Sequence, residues 1–248
     1  MQPPKRLDGE LLEAYMQSFF GYGSLSGAYW MIGIEERGGD TFEDVDARLR
    51  NWDYRGRLEL EDVCGFAEQV GQGQWFGPEA RPQRTWGNFI RVILSAEGID
   101  DANDKKILQY QSEEFGRFGG ETCLMILMPL PSQSSNCWSH ANWSALPHLE
   151  GRKACMKYYA ERRARRIKEL VNKCGPMAVF LATMQDKYRP LWEIITSAEF
   201  EPLESAGKPF EFGRQGGTVF VVAHHPAARG VPKEYFREIG KCIAQREG

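Results

Sequence analysis

The sequence lacks any run approaching the roughly 18 apolar residues that a membrane span needs, and its start, Met1-Gln2-Pro3-Pro4-Lys5-Arg6, lacks the apolar block of a secretory signal. A soluble, cytoplasmic protein with no membrane partner is the expectation. Any Cys-x-x-Cys pair is also missing. Cys64, Cys123, Cys137, Cys155, Cys174 and Cys242 are scattered, which argues against a zinc site, a disulfide framework and an iron–sulfur cluster together. Reduced thiols and no cysteine-bound metal are therefore expected. Nor is there an excess of positive charge: the formal net charge is −3, so any contact with nucleic acid must come from a local patch.

One such patch is present. Nine basic residues (Arg152, Lys153, Lys157, Arg162, Arg163, Arg165, Arg166, Lys168, Lys173) face only Glu161 and Glu169, a local charge of +7 in a chain that is otherwise acidic. The segment is either a solvated helix face or a polyanion contact. With 248 residues, 42% of them hydrophobic, the chain can bury one sizeable core, so residues 1–248 are expected to form a single domain.

Apolar spacing predicts a first helix over 7–20, stopped by Gly21 and Gly23. Residues 28–34 predict a buried strand, and 41–75 are helical in tendency but broken. A loop at 71–78 precedes an amphipathic helix over 85–96, on which Trp86, Phe89, Ile90, Ile93 and Leu94 share a face. Buried strands follow at 122–128, 177–182 and 218–223. The basic helix lies before the third of these four strands, a helix over 187–197 after it, and a last helix over 232–245 begins at a proline. This alternation predicts an α/β fold, a three-layer α/β/α sandwich around a central, mainly parallel four-stranded sheet. The polar loop 133–149 is long for a compact domain and carries Trp138, His140, Asn142 and Trp143, which makes it a candidate binding loop.

Ligands of such sheets sit where loops leave the carboxyl ends of strands. Glu35-Glu36 follow the first predicted strand and His224-His225 the last. A carboxylate can orient water and stabilise a sugar cation, and an imidazole can hydrogen-bond a leaving group. The same residues, with Asp40, could instead hold a divalent ion in a nuclease, and a non-catalytic DNA-binding protein would need only the basic helix.

Two motifs, Gly33-Ile34-Glu35-Glu36-Arg37-Gly38-Gly39 after the first strand and His225-Pro226-Ala227-Ala228-Arg229 after the last, resemble those of the uracil-DNA glycosylase superfamily, and the likeness runs from about Ala28 to the C-terminus. The resemblance implies a DNA glycosylase, acting as a monomer on DNA without a cofactor. Glu35 would position water, with Glu36 as the alternative. His225 would hold the departing base, with His224 adjacent, and Phe42 would stack behind the flipped base. Asn136 would read the base edge in place of an amide nearer the second strand, where Met128-Pro129 stand. Arg84, Arg152, Lys153 and Arg229 would contact phosphates, with Arg81 beside Arg84 a further candidate.

The tyrosine of the uracil-specific branch is replaced by Arg37, and Gly38 and Gly39 would leave room beside the base. These departures resemble a prokaryotic anti-phage branch that removes glucosylated 5-hydroxymethylcytosine, for which Trp138, His140, Asn142 and Trp143 would be sugar contacts. Repair of uracil or a damaged base is the alternative substrate class.

Overall fold

The computed structural model describes residues 5–99, 102–134 and 137–246. Asp8 accepts from the amides of Glu10 and Leu11 and so starts α1 at Gly9–Ser18, inside the predicted range. Gly21 and Gly23 do not cap it. They belong to a short strand, β1 (Gly21–Gly23), that runs antiparallel to β4 (Thr122–Ile126). A Cβ on Gly21 would lie 1.9 Å from the Leu124 carbonyl oxygen, so the absent side chain is what lets the two backbones pair.

Along the chain, β2 (Tyr29–Gly33) is followed by α2 (Phe42–Tyr54), β3 (Leu60–Glu61), α3 (Val63–Gln69), α4 (Arg84–Ala96) and α5 (Asp104–Glu113). After β4 come α6 (Arg152–Cys174), β5 (Ala178–Leu181), α7 (Arg189–Thr196), β6 (Phe200–Ser205), β7 (Lys208–Gln215), β8 (Thr218–Val222) and α8 (Lys233–Gln245). The fold is α/β, but the sheet is neither four-stranded nor mainly parallel. It has eight strands in the order β3-β1-β4-β2-β5-β8-β7-β6 and is mixed. The four strands expected from apolar runs are its central neighbours β4-β2-β5-β8, mutually parallel. On one side β1 adds antiparallel to β4, and on the other β7 and β6 add as an antiparallel hairpin. The hairpin turns at Ala206 and Gly207, both with positive φ, as a two-residue turn matched to strand twist requires.

Helix α4 packs on α8 and α5, and α6 on α7. Phe89 of α4 meets Phe180 of β5 at 5.7 Å between ring centroids. At the α4–α8 crossing, a Cβ on Gly240 would stand 2.3 Å from the Val92 carbonyl oxygen and 2.7 Å from Ser95 Cβ. Glycine inside a helix costs about 1 kcal/mol relative to alanine, and the close crossing offsets that cost. Gly240→Val is expected to force the helices apart and to lower stability by about 1–3 kcal/mol. A urea titration would show this as a lower midpoint at unchanged slope, and an unchanged midpoint would contradict it.

Candidate active site

The chain leaves β2 to form β4 on one side of it and returns to form β5 on the other. In sheets of this kind such a reversal marks the carboxyl ends, between the loops that follow β2 and β5, as the place where a ligand sits. Ile32, Leu181 and Val222 lie in register across β2, β5 and β8. Glu35 and His225 each stand three residues beyond that row. Two strand spacings, roughly 10 Å, separate Ile32 from Val222, the last residues in register across these strands before the loops that carry them. The loops after β2 and β4 remain zipped beyond the sheet: Leu127 N donates to Gly33 O, Met128 N to Ile34 O and Ser132 N to Glu36 O, at 2.9, 2.6 and 2.8 Å. Gly33 contributes its carbonyl only, since a Cβ there would meet nothing closer than the Met125 oxygen at 3.9 Å.

Arg152, the first residue of α6, is ion-paired to Glu35 Oε2 and donates to Ser132 Oγ and to the carbonyls of Ser134 and Cys137. Its guanidinium lies 5.3 Å from the Trp138 ring centroid. Expected among the phosphate contacts, Arg152 is instead engaged in holding Glu35 and the loop beside it. Burial pushes the Glu35 carboxyl above its ordinary value, against the opposing pull of Arg152 and of Lys187 after β5. No protein donor reaches Oε1 among the described residues.

Glu36 turns elsewhere. Its Oε2 accepts from Arg48 Nη1 at 3.0 Å, and its charge adds to burial in pushing the nearby Tyr22 phenol up. Arg48, 3% exposed, also donates from Nε to Asp44 Oδ1 at 3.0 Å, and Asp44 Oδ2 accepts from Gly39 N at 2.6 Å. Glu36 therefore belongs to a largely buried network that pins the glycine turn. The room ascribed to Gly38 and Gly39 is filled: a Cβ on Gly38 would meet Arg48 and Asp44 at 3.3 Å, and one on Gly39 would meet the Pro131 oxygen at 2.7 Å. The two glycines serve positive φ, 125° and 72°, and close approach of the loops. They do not open a pocket.

The histidines also diverge. The His224 ring faces Tyr235 at 5.7 Å, its Nε2 is buried without a partner, and its backbone N–H donates to the Tyr235 hydroxyl at 3.1 Å. His225 is exposed, and its Nδ1 accepts from Ala227 N at 3.1 Å. An Nδ1 that accepts must be unprotonated, which places the ring proton on Nε2. Surrounding protein desolvates the imidazole and holds it below its ordinary value of 6.5. The loop is anchored from α4: Asn88 Nδ2 donates to Pro226 O at 2.7 Å and Arg84 Nη2 to Ala228 O at 2.9 Å.

Phe42 opens α2 and packs edge-on against Trp143 at 6.3 Å, with the Lys5 ammonium 5.6 Å from its ring centroid. His140 is 1% exposed, bonds through Nε2 to Pro131 O at 2.9 Å and lies between Trp138 and Trp143. It fixes the 137–149 segment and is closed to a sugar, whereas Asn142 is exposed. Asn136 lies outside the described residues. Arg37, Lys153, Lys187 and Arg229 are exposed on the carboxyl-end loops and the start of α6, as is Arg84 on α4, against Asp40, Glu150 and Asp186. Among the described residues no three His, Cys, Asp or Glu side chains gather as ion ligands, and no helix is long and apolar enough to cross a membrane.

Sequence reasoning passed over Ser132, Lys187 and Asn88. Asn88 carried a signal, a polar residue among the apolar positions of α4, and it is 7% exposed. Ser132 carried none, because its role arises from loops distant in sequence. No protein-family model matches this chain, and no curated protein or solved structure matches it either.

Proposed function

We propose that this protein is a DNA glycosylase that hydrolyses the N-glycosidic bond of a flipped, modified pyrimidine, with Glu35 and His225 as its catalytic residues. The observation that carries the proposal is a carboxylate and an imidazole that each follow, by three residues, the registered row Ile32–Leu181–Val222, the imidazole with its ring proton placed on Nε2 by the Ala227 contact. Right-handed crossovers would place α4 and α5 on one face of the sheet and α6 and α7 on the other. That three-layer arrangement agrees with the likeness to the uracil-DNA glycosylase superfamily.

A base within a duplex is out of reach, so the nucleotide is extruded at a cost of a few kcal/mol. As the C1′–N1 bond stretches, the electron pair departs with the base, and His225 Nε2–H donates to the carbonyl oxygen on which the negative charge collects. Glu35 faces the developing sugar cation and orients the water whose oxygen bonds to C1′. Arg152 is a positioning residue: it keeps the partly buried carboxylate ionised and aimed. Exposed Arg37, Lys153, Lys187, Arg84 and Arg229 supply phosphate contacts around the mouth.

Incubation with oligonucleotides bearing uracil, hypoxanthine, 5-hydroxymethylcytosine or glucosylated 5-hydroxymethylcytosine, followed by mass spectrometry of released bases, tests the reading. We expect release of the glucosylated base, and the absence of any free base from all four substrates would refute the proposal. With Gly38 and Gly39 packed against their neighbours, a bulky 5-substituent must be accommodated elsewhere, facing the Trp138–Trp143 loop.

The pH dependence has a defined sign. Because the folded His225 value lies below 6.5, the neutral ring is present above that value, and acidification through it protonates Nδ1 and breaks the Ala227 contact. The release rate is expected to fall on the acid side of pH 6.5, and His225→Asn, which retains a neutral donor, should lack that limb. Parallel acid limbs in both proteins would remove His225 from the chemistry. The same sign applies to stability: His140, His224 and His225 are all held low by desolvation against surrounding protein. Their contribution is complete above the unfolded value and is lost as pH falls through the folded ones.

A further inference from the structure

A groove of about 860 Å³ runs between α6 and the end of α1, lined by Gln17, Arg57, Lys157, Tyr158, Arg162 and Arg166 among others. Neither Glu35 nor His225 lines it. Its cations differ in availability. Arg165 pairs with Glu161, Arg166 with Glu59 and Glu169, and Arg57 with Asp53. Lys157 and Arg162 are exposed and have no carboxylate partner among the described residues.

Between them Tyr158 is 50% exposed, an unusual state for a large ring here. One of its faces stacks on His148, with centroids 4.3 Å apart and planes within 8°. His148 is itself held, 3.0 Å from the Glu13 carboxylate, which also accepts from the Tyr159 hydroxyl at 2.8 Å and from Gln17 at 2.7 Å. The Tyr158 ring is thereby held, with Tyr159 edge-on at 4.9 Å, while half of its surface remains exposed.

Unpaired cations beside an immobilised, half-open aromatic ring are the combination that binds single-stranded nucleic acid: the cations follow phosphates and the ring stacks a base. Lys157 to Arg166 lie roughly 8–21 Å along α6 from Arg152, at 1.5 Å per residue. We propose that this groove is a second DNA site, which grips an unpaired strand flanking the nucleotide held at Glu35 and His225. The proposal rests on the glycosylase reading for its purpose, and on the groove alone for its chemistry.

The test is fluorescence anisotropy with labelled dT20 across a salt series, on the full-length protein, Lys157→Ala/Arg162→Ala and Tyr158→Ala. All three positions are exposed, and thermal melts would establish that each variant is folded. Loss of two phosphate contacts should flatten the slope of log K against log salt by about 1.4, at roughly 0.7 per contact for single strands. Loss of the stacking ring should weaken binding about 5- to 150-fold. Wild-type slope and affinity in both variants would overturn the proposal. So would a loss seen with a 20-base-pair duplex and absent with dT20. Base release by the wild-type protein is scored separately: if none occurs while the dT20 effects appear, the groove stands and the glycosylase reading fails. If release occurs and the dT20 effects do not, the reverse holds.

Discussion

His225→Ala is expected to release base about 10²–10³-fold more slowly than the wild-type protein, the range measured when one donor to a developing oxyanion is removed. Glu35→Gln is expected to lose about 10²–10⁴-fold, since the amide keeps the shape and loses the charge that activates water. Both effects should fall on the single-turnover rate and leave DNA affinity nearly unchanged. The double variant should lose less than the product of the two, because the groups act on one transition state. The divergent neighbours are built-in controls. Glu36→Gln should act through stability, because Glu36 faces Arg48 and Tyr22. His224→Asn should also spare the single-turnover rate, because its ring is directed at Tyr235. Normal turnover in both His225→Ala and Glu35→Gln would remove the proposed centre.

Arg163→Met is expected to cost about 3 kcal/mol or more, because a buried acceptor left without a donor costs about 1–3 kcal/mol and four carbonyls lose the same one. Against a typical total of about 5–15 kcal/mol, that loss should leave much of the chain unfolded. Although it lies in the most basic segment, Arg163 is 2% exposed. It donates at 2.8 Å to each of four carbonyls: Met16 and Phe19 at the end of α1, and Ile126 and Leu127 where β4 ends. Its guanidinium also lies 4.0 Å from the Phe20 ring centroid. The end of a helix leaves carbonyls without intrahelical partners, and here one side chain satisfies two of them while tying α1 to the sheet. Methionine would fill the volume and leave those oxygens buried and unbonded. Arg165→Ala, whose Glu161 pair is exposed, should change stability by less than about 1 kcal/mol. Equal urea midpoints for Arg163→Met and Arg165→Ala would contradict this account.

What the sequence disclosed depended on how each element is stabilised. Strands β2, β4, β5 and β8 are buried on both faces and appear as apolar runs, so they could be read directly. Strands β6 and β7 could not: Phe200-Glu201-Pro202-Leu203-Glu204-Ser205 alternates poorly, and the hairpin it forms with β7 joins the sheet only through the pairing of β7 with β8. Strand β1 was hidden by its glycines, which suggested a helix stop when considered without β4. At the candidate site, Glu35-Glu36 and His224-His225 stood out because strand ends followed by acidic and imidazole groups form a local pattern. How the members of each adjacent pair diverge was not legible. That depends on Arg48, Arg152, Ala227 and Tyr235, which are brought there by other elements. Arg163 shows the same limit from the other side, since charge alone placed it on a solvated face.

The outer margins of the sheet bear on how this protein behaves at high concentration. One margin is β3, only two residues long, which offers little backbone for another chain to join. The other is β6, where Pro202 lacks an N–H and Glu201 and Glu204 are exposed. Short, charged or proline-bearing margins resist strand addition by neighbouring molecules. An eight-stranded sheet left open at both sides is in this way kept from serving as a template for fibrous self-association.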